Sequence, residues 1–210
     1  MPKTIEVDSM ARGMIIFGSS GSGTTTLGRE VAKRLGFRHF DLDDYLWRWD
    51  TKIPFTVTRP REERITLLMD DISKVPHFVM SGSMDSYNAP FVPLFDLAVL
   101  NSAPAEIRAE RLRVREFARF GERILPGGDM YGNHRDFLAI ARQYNTDGSP
   151  CRRVHEQWAA TLPCPALCID GTDAIAHNAA RIVAQYPPSL TSSATGTLDP
   201  RSFPRPCASD

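Results

Sequence analysis

Gly18-Ser19-Ser20-Gly21-Ser22-Gly23-Thr24-Thr25 meets the phosphate-loop pattern G-x-x-x-x-G-K-[ST] at every defined position except the lysine, where Thr24 stands. The frame on either side is the one the pattern requires. Met14-Ile15-Ile16-Phe17 is a short apolar run of strand type, and Thr25 to Leu35 reads as a helix. Gly18, Gly21 and Gly23 can take backbone angles closed to other residues, so successive N–H groups can curl around an anion. The helix that follows points its positive end at the same place. Gly18, Ser19, Ser20, Gly21, Ser22, Gly23, Thr24, Thr25 and Thr26 are therefore the candidate nucleotide-binding residues. Thr25 holds the hydroxyl position that ligates Mg²⁺ in such loops. Thr24 removes the full charge that the pattern places on the β- and γ-phosphates, so binding and catalysis are separate questions here.

Outward from the loop, the apolar runs alternate with helix-like segments. Phe37–Phe40, Phe78–Met80, Leu97–Leu100 and Ala166–Ile169 read as further strands. Arg61–Val75, Ala105–Phe120 and Asp173–Tyr186 read as helices, with Pro104 at the start of the second. This order predicts an α/β fold, a three-layer sandwich whose five-stranded parallel sheet carries helices on both faces. Ligands in such folds gather at the carboxyl ends of the strands. Gly121–His134, with Pro126-Gly127-Gly128 and Gly132, reads as a mobile loop within a small lid spanning about residues 120–150. The expected organisation is a flexible N-terminus over 1–12, one domain over 13–186, and a Pro-, Ser- and Thr-rich tail over 187–210 with too few large apolar side chains to order itself.

The chain has 210 residues, with 25 basic and 25 acidic side chains that cancel. No global field favours nucleic acid or a membrane surface. No apolar run approaches the roughly 20 residues that span a bilayer, and the first 13 residues hold no signal-type apolar segment. The expectation is a cytoplasmic protein, monomeric or homodimeric, with small-molecule partners. Four cysteines are too few for a disulfide framework. Cys151, His155, Cys164 and Cys168 can be written as a zinc pattern, but the spacing is not a standard one and buried thiols are the better reading.

The second strand ends in Asp41-Leu42-Asp43-Asp44, on the crevice where the phosphates would lie. One carboxylate there can orient Mg²⁺ through its water shell, and the other can accept a proton from, or aim, an acceptor hydroxyl. Asp43 or Asp44 can equally cap a following helix, read over Tyr45–Trp49. Ser81-Gly82-Ser83 ends the third strand, either as a plain turn or as a close backbone approach to a ligand. Arg108, Arg111, Arg115 and Arg119 share a helix face that leads to Arg123. A row of guanidinium groups entering a glycine loop suits a phosphoryl-transfer lid and can replace the absent lysine; the alternative is a solvated face paired to Glu110 and Glu116. Arg115, Arg119 and Arg123 are taken with Asp43 as candidate catalytic residues. Trp47, Trp49 and Phe55 either stack on an acceptor or pack a lid, and Arg59, Arg61 and Arg64 can hold an acceptor anion. Asp170-Gly171-Thr172 either flanks an adenine or forms a turn with Thr172 as N-cap.

On the loop Gly18–Thr25 and the Phe40-Asp41-Leu42-Asp43 stretch, the chain resembles the small P-loop kinases, the group of adenylate, shikimate and gluconate kinases. The likeness in element order covers about residues 13–186. It implies an enzyme that uses ATP and Mg²⁺ and phosphorylates a nucleotide or small metabolite. Carried over from shikimate kinase-like proteins, Asp41 lies near Mg²⁺ and Asp43 contacts the acceptor. The third strand ends with one glycine where that group has three, which speaks against shikimate itself. The chain is also similar to uncharacterised AAA family ATPase-like or adenylate kinase-like proteins. They share its Gly-Thr-Thr-Thr-Leu-Gly loop ending (23–28) and its Arg-Ile-Leu-Pro-Gly-Gly-Asp-Met-Tyr stretch (123–131). That kinship implies that Thr24 is a group trait. The competing reading is a catalytically inactive nucleotide-binding module.

Overall fold

The computed structural model describes residues 10–84, 87–146, 148 and 150–187. The expected flexible N-terminus and tail therefore fall largely outside the described residues, as does Cys207. Five strands, β1 (Arg12–Gly18), β2 (Arg38–Asp41), β3 (His77–Ser81), β4 (Phe95–Ser102) and β5 (Ala166–Asp170), form one sheet in the order β2-β3-β1-β4-β5. Every pairing is parallel. The expected α/β class and sheet are what the chain adopts.

Alternation along β1 explains the layers. Met14 and Ile16 enter one core with Leu27, Val31, Val99 and Ile182. Ile15 and Phe17 enter the other with Leu68, Ile72, Phe78, Met80 and Phe91. A strand that is apolar on both faces has to be covered on both. On the first face lie α1 (Thr24–Leu35) and α7 (Ile175–Gln185); on the second lie α3 (Arg61–Ile72) and α6 (Arg152–Thr161). Two further helices, α4 (Ala105–Phe120) and α5 (Tyr131–Arg142), pack on each other.

Three local readings are corrected. The helix after β2 is α2 (Leu42–Leu46), not Tyr45–Trp49; the chain then turns back, with Trp47 bridging Thr58 as in a hairpin. Gly121–His134 is not loop throughout, because a short 3₁₀ turn spans Gly121–Ile124 and α5 begins at Tyr131. Gly132 sits in the first turn of α5, where tertiary packing on α4 outweighs its low helix propensity. Thr172 caps no helix, since Ala174 precedes α7 and Thr172 instead donates through N–H and Oγ1 to Asp170.

Asp96 ties the first strand to the last helix. Its carboxylate receives Arg12, and its second oxygen accepts from the Tyr186 hydroxyl at 2.9 Å. Cys151 and Cys164 are free thiols. Among the described residues no three His, Cys, Asp or Glu side chains converge on a metal position, so the zinc pattern is not assembled.

Candidate active site at the carboxyl edge of the sheet

Strand register sets the site. Asp41 stands level with Ser81, Ser81 with Ile16, and Gly18 with Asn101. The ends of β2, β3, β1 and β4 therefore open on one edge, the edge from which the glycine loop rises.

The loop is held by its neighbours as much as by its own sequence. Gly21 and Gly23 have φ values of 83° and 97°, left-handed conformations that favour glycine. A Cβ on Gly18 would stand 2.1 Å from the Asn101 carbonyl oxygen, and one on Gly21 would stand 2.7 Å from that of Arg108. The amide of Asn101, itself buried, donates to the Ser22 carbonyl at 2.9 Å. No side chain caps α1, whose first turn begins at Thr24 behind Gly23. The leading N–H groups of a twelve-residue helix thus face the loop unfilled by protein, which is the arrangement that binds anions. The hydroxyls of Ser19 and Ser22 are buried with no hydrogen-bond partner among the described residues, so the loop does not satisfy itself.

At the end of β2 the Asp41 side chain caps α2, accepting from the Asp43 N–H at 3.3 Å, and lies 3.8 Å from the Arg29 guanidinium. Capping thus falls to Asp41, and Asp43 and Asp44 are left for other work. Asp43 is exposed, yet the protein atoms around it desolvate its carboxyl. That desolvation, with Asp41 beside it, raises its carboxyl to about 6. Arg115 and a hydrogen bond from Trp47 pull in the opposite direction. Asp44 is also raised, by desolvation and then by Asp41. A crowded carboxylate group of this kind is relieved by a cation. Among the described residues no three His, Cys, Asp or Glu side chains close a cage; Mg²⁺ in phosphoryl-transfer sites is held chiefly by phosphate and water oxygens, with few protein ligands. Thr25 and Asp41 are the residues present for it.

The neighbouring ends are more occupied. Ser81 Oγ lies 2.9 Å from Nε2 of His39, whose imidazole burial lowers to about 4, so it is neutral at neutral pH. Ser83 Oγ lies 3.1 Å from Nε2 of His155, whose Nδ1 is 2.9 Å from the Tyr144 hydroxyl.

The arginines divide sharply. Arg108 is wholly buried. Arg111 donates to the Gly171 carbonyl at 2.9 Å and approaches Gly21 at 3.5 Å, joining the loop to the turn after β5. Arg115 pairs with Glu116 at 3.0 Å. Arg119 has its guanidinium carbon 4.7 Å from the Phe55 ring centroid, 5.4 Å from Phe120 and 5.6 Å from Trp49. Arg123 forms a two-pronged pair with Asp129 and reaches the Lys52 carbonyl. Arg59 donates to the carbonyls of Asp44, Tyr45 and Trp47 at the end of α2, and Arg64 lies 5.1 Å from the Tyr87 ring. These two serve the scaffold.

Asn101 carried no motif signal. Its place opposite Gly18 follows from register, and an asparagine in an otherwise apolar strand was the one available hint.

Sheet order, edge and glycine loop together define a P-loop α/β protein with the architecture of small-molecule kinases. The chain belongs to the family of the uncharacterized protein YqaC of Bacillus subtilis, to which it is 36% identical over 176 residues, 83% of this chain and 97% of that one. It is also similar to a shikimate kinase of Neisseria gonorrhoeae, 24% identical over 67% of this chain and 90% of that protein. Among solved structures, a sugar kinase from Janibacter sp. HTCC2649 shares the fold with a TM-score of 0.52 and 16% identity, over 86% of this chain and 98% of that one. No family model matches the chain.

Proposed function

We propose that the protein is a kinase that transfers the γ-phosphoryl group of ATP to a nucleotide or other small metabolite. The observation that carries this reading is the placing of the Asp41, Asp43 and Asp44 carboxylates at and just past the end of β2, on the same edge as the start of α1 behind the glycine loop. A group titrating near 6 is ionised at neutral pH yet basic enough to take a hydroxyl proton or to aim its oxygen. In this reading the N–H groups of Gly18–Thr26 cradle the phosphates, and Thr25 and Asp41 hold Mg²⁺. The metal, when bound, neutralises charge on the β- and γ-phosphate oxygens. Asp43 orients the acceptor, with Trp47 fixing its carboxylate. Arg115, beside Asp43, and Arg119 lie toward the acceptor. Arg123 joins them by exchanging Asp129 for phosphate oxygens. Positioning and electrostatics dominate this chemistry, so its parts need not be covalent.

The test is transfer from ATP·Mg²⁺ to a panel of nucleoside monophosphates, nucleosides, sugars and hydroxy acids, read by mass spectrometry, with Asp43→Asn alongside. A product that disappears in the variant supports the kinase. Thr24 favours a second reading, a nucleotide-binding module without turnover; tight ATP binding with no product across the panel would select it.

A further inference from the structure

Arg108 is the largest side chain with no exposed surface in the described protein, and it is an arginine. Burying a charge is expensive unless it is paired, yet among the described residues no carboxylate forms a close ion pair with it, and Glu106 favours its charge only through space. Carbonyl oxygens receive it instead: Nε donates to Ala103 at 3.0 Å, and Nη1 donates to Ala141 at 2.7 Å and lies 3.5 Å from Ser20. Its Nη2 has no hydrogen-bond partner among the described residues. The planar head rests 5.2 Å from the Tyr144 ring centroid. Burial lowers its pKa from the ordinary arginine value, but a guanidinium stays protonated throughout the range in which proteins fold.

The position of this charge is specific. Gly21 packs on the Arg108 backbone, and the Ser20 carbonyl that faces the guanidinium belongs to the peptide whose N–H is Gly21's. A cation behind a carbonyl polarises the peptide and strengthens its N–H as a donor on the far side. Across a low-dielectric layer the same charge also acts directly on whatever anion the loop holds. Thr24 leaves the front of the loop without its cation.

We infer that Arg108 is a positioning residue that supplies, from behind the phosphate loop and through the Ser20–Gly21 peptide, the positive charge absent from the front of the loop at Thr24. This rests on the reading of Gly18–Thr25 as a nucleotide phosphate site. The guanidinium also grips α5 through Ala141, so charge and lid share one anchor.

The test uses the full chain, with Arg108→Met, Arg108→Lys, Thr24→Lys and the double variant Thr24→Lys/Arg108→Met. Each is titrated calorimetrically with ATP·Mg²⁺, with adenosine measured as a competitor and a thermal melt for each. Arg108→Met should lose about tenfold in ATP affinity with adenosine affinity unchanged, Arg108→Lys should recover most of it, and the double variant should regain ATP affinity. Thr24→Lys alone should gain less than about threefold, because the charge is already supplied. Equal losses for ATP and adenosine, or none, would make Arg108 a scaffold residue and overturn the inference. If Arg108→Met does not fold, Thr24→Lys decides: a tenfold gain in the wild-type background overturns it. Wild-type chain that binds adenosine nucleotides not at all would bring down the phosphate-site reading itself, and this inference with it.

Discussion

In the function proposed above, catalysis and stability pull the Asp43 carboxylate in opposite directions. Its folded-state pKa near 6 lies above the ordinary aspartate value, so the folded chain binds the proton more tightly than the unfolded chain. Ionised Asp43 therefore weakens the fold as pH rises through the interval between those values. Asp43→Asn should abolish transfer while raising Tm above pH 6, and the rise should vanish below about pH 4. After discounting for solvent screening the gain is about 1 kcal/mol, or roughly 2–4 °C. Differential scanning calorimetry at pH 4 and pH 8 reads it. The wild-type rate should fall on the acid side with an apparent pKa near 6. Gly21→Ala belongs to the same scale: at φ 83° and 2.7 Å from the Arg108 carbonyl it should lose ATP binding at least tenfold, measured by titration.

At the scale of elements, the hairpin after α2 touches the end of α4 and the 3₁₀ turn after it. Phe55 packs edge-on to Trp47, Trp49 and Phe120, and Arg123 reaches across to the Lys52 carbonyl. Phe55 adopts a φ of 60°, a strained value for a bulky residue, which the surrounding rings hold in place. Asp129→Ala removes an exposed pair and should change Tm by less than about 2 °C. It should nevertheless speed amide exchange over 121–130, read by mass spectrometry, because Arg123 then keeps a single tether. This scale also shows what the sequence could not say. The strands were legible because short continuous apolar runs fall between turn residues and helical segments. The start of α5 was hidden, since Pro126, Gly127, Gly128 and Gly132 argue locally for loop while contact with α4 decides otherwise. The destinations of the arginines were not legible either. Arg108 and Arg111 are three residues apart on one helix face, yet one is fully buried against Ala103, Ala141 and Tyr144 and the other is exposed at the turn after β5, a difference set by what packs on each and not by helical spacing. The aspartates' place at the carboxyl edge was legible, but the capping duty expected of Asp43 or Asp44 fell on Asp41, a choice made by where β2 ends.

For the whole molecule, Asp96 closes the sheet's first strand against its last helix. Its side chain is 8% exposed, and its removal leaves Arg12 and the buried Tyr186 hydroxyl without their shared acceptor. Asp96→Ala should cost about 3 kcal/mol, lowering Tm by roughly 6–12 °C with nucleotide affinity unchanged, since the knot lies at the opposite edge of the sheet from the loop. Thermal melts with and without ATP separate the two effects. The same knot brings the beginning and end of the fold within one side chain's reach. A chain reordered by joining residue 187 to residue 10 through a short linker, and opened in the exposed turn at Gly127, should still fold cooperatively. The segment between α4 and α5 would then be carried as two free ends.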